Sequence, residues 1–276
     1  MLSAEKISRY EGKCRQFRID LINLLHKIQT GHPGGSLSAV EIVTILYHEI
    51  LNIDPRNPKN PDRDIFILGK GHGVPILYLI LADLGFFPKE ELATLRQLDS
   101  RLQGHPCAGK LPGIELSTGP LGLGISAAVG RALAAKLDRT SEKIYVLLGD
   151  GEIQEGIVWE AAMAAVKYRL DNLVAIIDNN GVQLDGTVAE IMPLGDIKAK
   201  WLAFGWNALE MDGHNLSDIH AKVCQARDFG NGKPTAIIAG TVKGKGVSFM
   251  EGNHAWHGKP IGAAEHAAAL KELEGK

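Results

Sequence analysis

The sequence predicts an α/β fold, a parallel sheet with helices on both faces. Short apolar runs rich in β-branched residues alternate with longer segments whose apolar residues recur at helical spacing. The predicted strands are residues 65–68, 144–148, 173–177, 206–210 and 235–239. Strands that alternate with helices form parallel sheets covered on both sides, so we expect one such sheet. The length allows one large α/β domain or two small ones, and since no internal repeat or low-complexity linker interrupts the pattern, we expect residues 1–276 to form a single domain.

Helical patterns fill the first half of the chain around the first strand. One apolar stripe predicts a helix over residues 3–30. Ser38 and Glu41 have the spacing of a capping box, which predicts a second helix from there to about residue 50. Residues 52–64 are proline-rich and polar and predict a loop. Further helices are expected after the first strand up to residue 84, near residues 89–98, and from about residue 119 to about residue 137.

The second half contains the pattern around which the chain is organised. A strand at residues 144–148 runs into Gly149-Asp150-Gly151, a helical segment follows, and the strand at residues 173–177 ends in Asp178-Asn179-Asn180. This spacing fits a βαβ unit. Parallel sheets bind ligands at the carboxyl ends of their strands, and carboxylate and amide oxygens suit Mg²⁺. Later helices are predicted at residues 197–204 and 216–229 and at the carboxyl end, with a loop over residues 243–258.

Four histidines lie in loops rich in glycine or proline rather than on apolar helix faces. They are His32, His72, His105 and His257. If these loops leave the same edge of the sheet, the four side chains meet in one crevice. Histidine is suited to moving protons near neutral pH, which predicts acid–base chemistry there. The spacing of these histidines does not match a zinc motif, although His254 lies three residues before His257.

Composition narrows the class of protein. A net charge of −2 gives no electrostatic case for nucleic acid. Cys14, Cys107 and Cys224 are isolated, which favours reduced thiols and predicts a cytoplasmic protein. The first ten residues carry charges where a signal peptide needs an apolar core, and the longest uncharged run is too short and glycine-rich to span a bilayer. We expect neither a nucleic acid nor a membrane as partner.

Together these motifs resemble the transketolase family, and the resemblance covers nearly the whole chain. The GDG segment and the later NN resemble the signature of thiamine-diphosphate enzymes. The remaining motifs follow the order of the family's first domain: GHPGG, GKGHG, GHP, STGPLG, GDG with EG, DNN, KGKG and WHGKP. The resemblance implies the diphosphate-binding domain of an enzyme that transfers two-carbon ketol units between sugar phosphates, as in the pentose phosphate pathway.

The resemblance also implies roles for individual residues. Asp150, Asn180 and the carbonyl of Val182 would hold Mg²⁺, or Ca²⁺ or Mn²⁺ in its place, and the metal would clamp the diphosphate. His72 would contact the diphosphate, and His32, His105 and His257 would line the sugar channel and assist proton transfer. The cofactor-contacting residues implied in all are His72, Gly119, Leu121, Gly149, Asp150, Gly151, Glu155, Asn180, Lys245 and His257. Among them Gly119 and Leu121 would meet the aminopyrimidine, Glu155 would reach a neighbouring domain, and Lys245 would belong to a loop over the phosphate end.

The family's second domain, which binds the aminopyrimidine ring and supplies a catalytic glutamate, has no counterpart in these 276 residues. The resemblance therefore implies the N-terminal subunit of a split transketolase. Its partner would be a C-terminal subunit carrying the pyrimidine-binding domain, in an α2β2 heterotetramer. A shortened form of a longer chain is the competing explanation. Leu123 departs from the glutamine usual in the family.

Other interpretations stay open at this point. The diphosphate-binding subunit of a 2-oxo acid dehydrogenase shares GDG and NN but does not need four loop histidines. A deoxyxylulose-phosphate synthase is a further alternative, although its helix lacks the Gln154-Glu155-Gly156 pattern present here. A nicotinamide dehydrogenase would need a GxGxxG after a strand, and none is present. A cofactor-binding scaffold without turnover is the non-enzymatic alternative.

Overall fold

Five parallel strands form the centre of the fold in a computed structural model that describes residues 2–275. They are β1 (Ile65–Leu68), β2 (Ile144–Gly149), β3 (Leu173–Asn179), β4 (Asn207–Asp212) and β5 (Thr235–Gly240). They are arranged in the order β1-β2-β3-β5-β4, and every neighbouring pair is parallel. Each strand matches its predicted range to within two residues, and the predicted fold class is confirmed.

Helices cover both faces of this sheet. The helices are α1 (Ala4–Ile28), α2 (Pro33–Leu37), α3 (Val40–Ile45), α4 (Val74–Asp83), α5 (Leu123–Asp138), α6 (Gly156–Lys167), α7 (Val188–Ile191), α8 (Ile197–Ala203), α9 (Leu216–Asp228) and α10 (Ala263–Glu274). Within residues 2–275, none of the helices has the length and apolar character needed to cross a membrane.

Alternate residues of the central strands build two separate apolar cores. On β2, Tyr145 and Leu147 pack with α1, α3, α4 and α9, whereas Ile144, Val146 and Leu148 pack with α5, α6 and α8 on the other face. Side chains of a strand point alternately to its two sides, so a strand that is apolar throughout needs cover on both. Since both faces of the strand are covered, polar groups can be placed only in the loops at its ends.

The predicted capping box at Ser38 is wrong. Helix α3 begins after Ala39 without a side-chain cap, and the Ser38 hydroxyl instead donates to the carboxylate of Asp178 at 2.6 Å. Glu41 forms an ion pair with Arg18 at 2.7 Å. A buried carboxylate without hydrogen-bond donors costs more free energy than an uncapped helix end. Ser38 and Glu41 therefore each pair with a buried charged side chain instead of capping the helix. The predicted single helix is correspondingly divided into α2, α3 and a π-helical turn, Leu46–Ile50.

Two further predicted helices differ at their ends. Instead of a helix over residues 89–98, the chain forms a 3₁₀ helix, Lys89–Thr94, after which Arg96 and Asp99 adopt left-handed conformations. Helix α5 begins at Leu123 rather than near residue 119, because Gly122 has a φ of 83° and turns the chain into the helix. A Cβ on Gly122 would approach Ile157 Cγ2 to 2.6 Å, so only glycine fits this turn.

Candidate active site

A cavity of about 320 Å³ opens at the carboxyl ends of β2 and β3. Its walls come from the loops after these strands and from the segments around residues 35, 70, 121 and 243. The lining residues are Gly35, Lys70, His72, Leu121, Gly149, Asp150, Gly151, Glu152, Gln154, Glu155, Asn180, Val182, Gln183, Leu184, Asp185, Lys243 and His257. This is the position at which open α/β sheets bind ligands.

The three candidate metal ligands lie together on this wall. The Asp150 carboxylate is buried and accepts hydrogen bonds from the backbone N–H groups of Gly151 (2.8 Å) and Gly181 (2.6 Å). The Asn180 amide oxygen accepts from Val182 N–H at 3.1 Å. Burial, together with the nearby negative charge of Asp178, raises the pKa of Asp150 to about 6. A cation at this carboxylate would favour its charged form.

Lys243 supplies a cation at the same place. Its ammonium donates to the carbonyl oxygen of Val182 at 3.0 Å and lies 2.8 Å from Nδ1 of His257. Burial lowers the pKa of Lys243 to about 8. The carbonyl predicted to bind metal therefore already faces positive charge, and its second lone pair allows a further contact.

A second buried lysine lies beneath the cavity floor. The ammonium of Lys70 pairs with the carboxylate of Asp178, which also accepts from the hydroxyls of Ser38 and Thr241. Burial alone would raise the pKa of Asp178, but the charge of Lys70 and the hydrogen bonds from Lys70, Ser38 and Thr241 together lower it. Because Asp178 is the final buried residue of β3, this network fixes the end of the strand from which the Asn180 loop departs.

The four loop histidines converge beside the cavity. The ring centroid of His32 lies 5.2 Å from that of His72, 5.4 Å from that of His257 and 6.4 Å from that of His105. His72 and His257 are 4.9 Å apart and line the cavity wall. The loops come from four separate parts of the chain, so their approach is a consequence of sheet topology.

The environment makes these imidazoles neutral. Burial, reinforced by neighbouring cations, lowers the pKa of His32 to about 4 and that of His257 to about 3. The same cause places the pKa of His72 well below its ordinary value, and burial also lowers that of His105. The expectation of pKa values near neutrality is thus not met. Neutral imidazoles donate with one nitrogen and accept with the other, which suits them to hydroxyl groups.

The other predicted contact residues lie at different depths. Gly149 and Gly151 line the cavity, and Leu121 and Glu155 line it with side chains that are exposed to solvent. Gly119 lies beside His105, since a Cβ there would be 3.5 Å from the imidazole Cδ2.

Lys245 lies outside the cavity. Its ammonium is 3.8 Å from the Glu251 carboxylate, and its carbonyl oxygen accepts from Arg18. In the same glycine-rich segment it is Lys243 whose side chain reaches the cavity.

Sequence reasoning missed four polar residues near the site: Lys70, Glu152, His214 and Lys243. Glu152 is buried and accepts from the backbone N–H groups of Gly122 and Gly149, both at 3.0 Å, and burial raises its pKa to about 7. Lys70 and Lys243 lie inside the GKGHG and KGKG motifs. Glycine lets the backbone come close to a ligand, so a lysine next to a glycine could have been predicted to lie near the site. His214 also stands beside a glycine, in the loop after β4, but was not counted among the loop histidines.

These residues fit a divalent metal with a bound diphosphate. The candidate ligands are one carboxylate, one amide oxygen and one carbonyl oxygen, a hard-oxygen set that leaves positions for phosphate oxygens. Across residues 2–275, no three His, Cys, Asp or Glu side chains are placed to bind a metal by themselves. The ammonium of Lys243, which lines the cavity, supplies positive charge of the kind that a polyphosphate needs.

Comparison with known proteins identifies the family. Residues 11–275 match the family model described as "Transketolase, thiamine diphosphate binding domain". The chain is 44% identical over 268 residues to a subunit of the apulose-4-phosphate transketolase of Phocaeicola vulgatus, covering 97% of this chain and 95% of that protein. It is 47% identical over 248 residues to the 6-deoxy-6-sulfo-D-fructose transketolase subunit SqwG of a Clostridium species, covering 90% of each.

Single-chain transketolases match over part of their length. Human transketolase is 39% identical over 258 residues, which are 93% of this chain and 41% of that protein. The solved transketolase of Campylobacter jejuni superposes with a TM-score of 0.87 at 33% identity and covers 99% of this chain and 43% of its own. The chain thus spans about two-fifths of these proteins but nearly all of the two shorter relatives, which are separate transketolase subunits. It belongs to the transketolase family and corresponds to the subunit that contains the thiamine-diphosphate-binding domain of these enzymes.

Proposed function

We propose that this chain is the diphosphate-binding, N-terminal subunit of a two-chain transketolase. In the complete enzyme it would transfer a two-carbon ketol unit from a ketose to an aldose sugar phosphate with thiamine diphosphate and Mg²⁺. The observation that carries the proposal is the convergence of Asp150, Asn180, Val182 and Lys243 in one cavity beside four histidines. We further propose that residues 1–276 act as one domain and that the protein is cytoplasmic, in keeping with its three free cysteines.

The cavity floor is proposed to hold the charged end of the cofactor. Asp150, Asn180 and the Val182 carbonyl would bind Mg²⁺, for which Ca²⁺ or Mn²⁺ could substitute. Lys243 and His72 line the same cavity and would face the diphosphate. Gly149 and Gly151 allow the backbone to approach it. When bound, thiamine diphosphate supplies the electron sink that this chemistry needs.

The histidines are proposed to handle the sugar. The rings of His105 and His257 both lie near that of His32, and Nδ1 of His32 is buried without a hydrogen-bond partner among the described residues. A substrate hydroxyl would satisfy this nitrogen, because buried polar groups are normally paired. Because these imidazoles are neutral at neutral pH, each ring can accept a hydrogen bond from a sugar hydroxyl at one nitrogen and donate one at the other, and in this way they would assist proton transfer.

The partner and substrate class are proposed from the relatives. The names of the similar shorter relatives describe them as subunits of transketolases, which supports a second subunit that carries the pyrimidine-binding domain, in an α2β2 assembly. Their names specify different sugars, apulose 4-phosphate for one and 6-deoxy-6-sulfo-D-fructose for another. Sugar phosphates of the pentose phosphate pathway are therefore one set of candidates among several.

The experiment is a ketol-transfer assay with this chain, its second subunit, Mg²⁺ and thiamine diphosphate. A panel of ketose phosphate donors is paired with aldose phosphate acceptors, and products longer by two carbons are detected by mass spectrometry. We expect transfer for at least one pair and no decarboxylation of 2-oxo acids. Cofactor binding without any transfer would indicate a scaffold, and 2-oxo acid decarboxylation would replace the proposal with a dehydrogenase subunit.

A further inference from the structure

A half-buried histidine outside the cavity bonds the segment that carries Lys243. His214 lies in the turn between β4 and α9, and 14% of its side chain is exposed. Its Nε2 atom lies 2.8 Å from the backbone nitrogen of Val242, and its Nδ1 atom lies 2.9 Å from the Glu41 carboxylate. Val242 is the residue immediately before Lys243.

The two contacts define the protonation of the ring. The backbone N–H of Val242 can only donate, so Nε2 of His214 must accept and carries no proton. Nδ1 then carries the proton and donates it to Glu41. His214 therefore connects a buried carboxylate to one backbone amide, and this amide is held in place by the ring.

The turn before His214 is built to bring the ring close to β5. A Cβ on Gly213 would approach Thr241 Cγ2 to 2.4 Å, so the absence of a side chain allows the turn to contact the end of β5. The Gly213 N–H donates to the Gly240 carbonyl at 2.8 Å, and the His214 N–H donates to the Asp212 carboxylate at 2.9 Å.

The same carboxylate anchors a second connection to this segment. Glu41 pairs with Arg18 at 2.7 Å, and 9% of each side chain is exposed. The Nε–H of Arg18 donates to the carbonyl oxygen of Lys245 at 3.0 Å. We define residues 241–246 as the strap; Glu41 therefore holds it at Val242 through His214 and at Lys245 through Arg18.

We propose that His214 is a positioning residue that fixes the strap so that the ammonium of Lys243 reaches the Val182 carbonyl and the cofactor diphosphate. The side chain itself does not line the cavity. Its effect passes through one backbone amide to the adjacent lysine. The inference rests on the proposed function, because it assigns Lys243 to the diphosphate.

The two amide substitutions separate positioning from packing. A glutamine at this position reaches about as far as Nε2 and can accept from Val242, whereas an asparagine reaches only about as far as Nδ1 and can bond Glu41. We therefore compare His214→Gln with His214→Asn in the complete chain. Hydrogen exchange of the strap amides is measured without ligand, and calorimetry then measures the affinity for thiamine diphosphate with Mg²⁺.

We expect His214→Asn to accelerate exchange at Val242 and to weaken cofactor affinity, each by about tenfold, the value of one lost hydrogen bond. His214→Gln should stay within about threefold of the native chain. The control pair is His220→Asn and His220→Gln on α9, whose ring lies 3.8 Å from Cys224 Sγ. Neither control should alter the strap.

Equal effects of the two His214 substitutions would show that the ring acts by packing and would overturn the inference. Faster exchange with unchanged cofactor affinity would also overturn it, since the strap would then move without consequence for the diphosphate. A native chain that does not bind thiamine diphosphate at all would refute the proposed function instead. The exchange measurement would still report whether His214 holds the strap.

Discussion

Asp150 buries a carboxylate whose two oxygens accept only backbone N–H groups in the contacts observed, from Gly151 and Gly181. We expect Asp150→Asn to lose Mg²⁺-dependent binding of thiamine diphosphate and to remain folded, with an unfolding free energy lower by about 1–3 kcal/mol because the amide nitrogen faces one of these N–H donors. The loss of affinity should exceed the roughly 10- to 100-fold that removal of an outer-shell metal partner costs. Calorimetry with and without Mg²⁺ measures it. Asp62→Asn, in an exposed loop, serves as the control, and native affinity in Asp150→Asn would remove this residue from the metal site.

The partly buried histidines His32 and His257 give a second prediction, on stability. Their pKa values, about 4 for His32 and about 3 for His257, lie below the ordinary value of 6.5, so the unfolded chain takes up protons first as the pH falls. The stability they contribute is present above about pH 6.5 and is lost as the pH falls towards these folded values.

Allowing for partial solvent exposure, we expect about 1 kcal/mol of lost unfolding free energy per histidine between pH 7 and pH 5. Urea unfolding of the native chain and of His32→Asn at both pH values measures the difference. The variant should lose less stability on acidification than the native chain. The same loss in both would mean that His32 is not neutral in the folded protein.

At this scale the sequence identified residue types better than side-chain directions. The four histidines were predictable because each lies in a loop at the end of an element, and the sheet brings such ends to one edge. The sequence pattern could not predict that Lys243, and not Lys245, reaches the cavity. Which lysine does so depends on the direction in which the strap leaves β5, which Thr241, Gly244 and Val242 set through bonds to distant residues.

Helix α5 offers a prediction at the scale of an element. A Cβ on Gly124 would lie 2.8 Å from the backbone Cα of Gly69, so the helix packs directly against the chain after β1. Gly130, six residues later on the same helix, has no atom within 4 Å of such a Cβ. We expect Gly124→Ala to destabilise the fold by about 1–3 kcal/mol through overpacking.

Gly130→Ala is the matched substitution, and helix propensity should make it stabilising by about 0.5–1 kcal/mol. Urea unfolding of both variants measures the two changes. A Gly124→Ala variant as stable as the native chain would mean that α5 can move away from the sheet without cost.

Strands and long helices were predictable because burial on one or two faces leaves a periodic pattern in the sequence. The predictions that failed concerned elements in which a local sequence signal competed with a contact to a distant part of the chain. Ser38 has the sequence of a helix cap, but it bonds Asp178, which is 140 positions away. The break after Thr94 depends on Arg96, whose guanidinium reaches the Gly104 carbonyl and whose φ is 63°.

At the scale of the whole molecule, the outer side of the cavity is apolar and exposed to solvent. Leu121 and Leu184 line it with 38% and 57% of their surface exposed, and Met192, whose carbonyl accepts from Gln154, is 58% exposed. Exposed apolar surface of this kind favours association with another protein. The sequence could predict the need for a partner from the chemistry of the cofactor, but the residues that form this outer side were not separable from core residues by pattern alone.

We therefore expect this chain alone to be catalytically inactive and to gain activity with its second subunit. The cavity offers metal ligands and cations for a diphosphate, whereas thiamine diphosphate also needs a carboxylate at its aminopyrimidine end. Glu152 already accepts from two backbone amides and Glu155 immediately precedes α6, so both belong to the diphosphate end of the cavity. Ketol transfer is measured with saturating Mg²⁺ and cofactor, with and without the second subunit, while light scattering reports the assembly. We expect an α2β2 mass only in the active mixture. Full turnover by this chain, with no second polypeptide detected by mass spectrometry, would contradict the two-subunit enzyme.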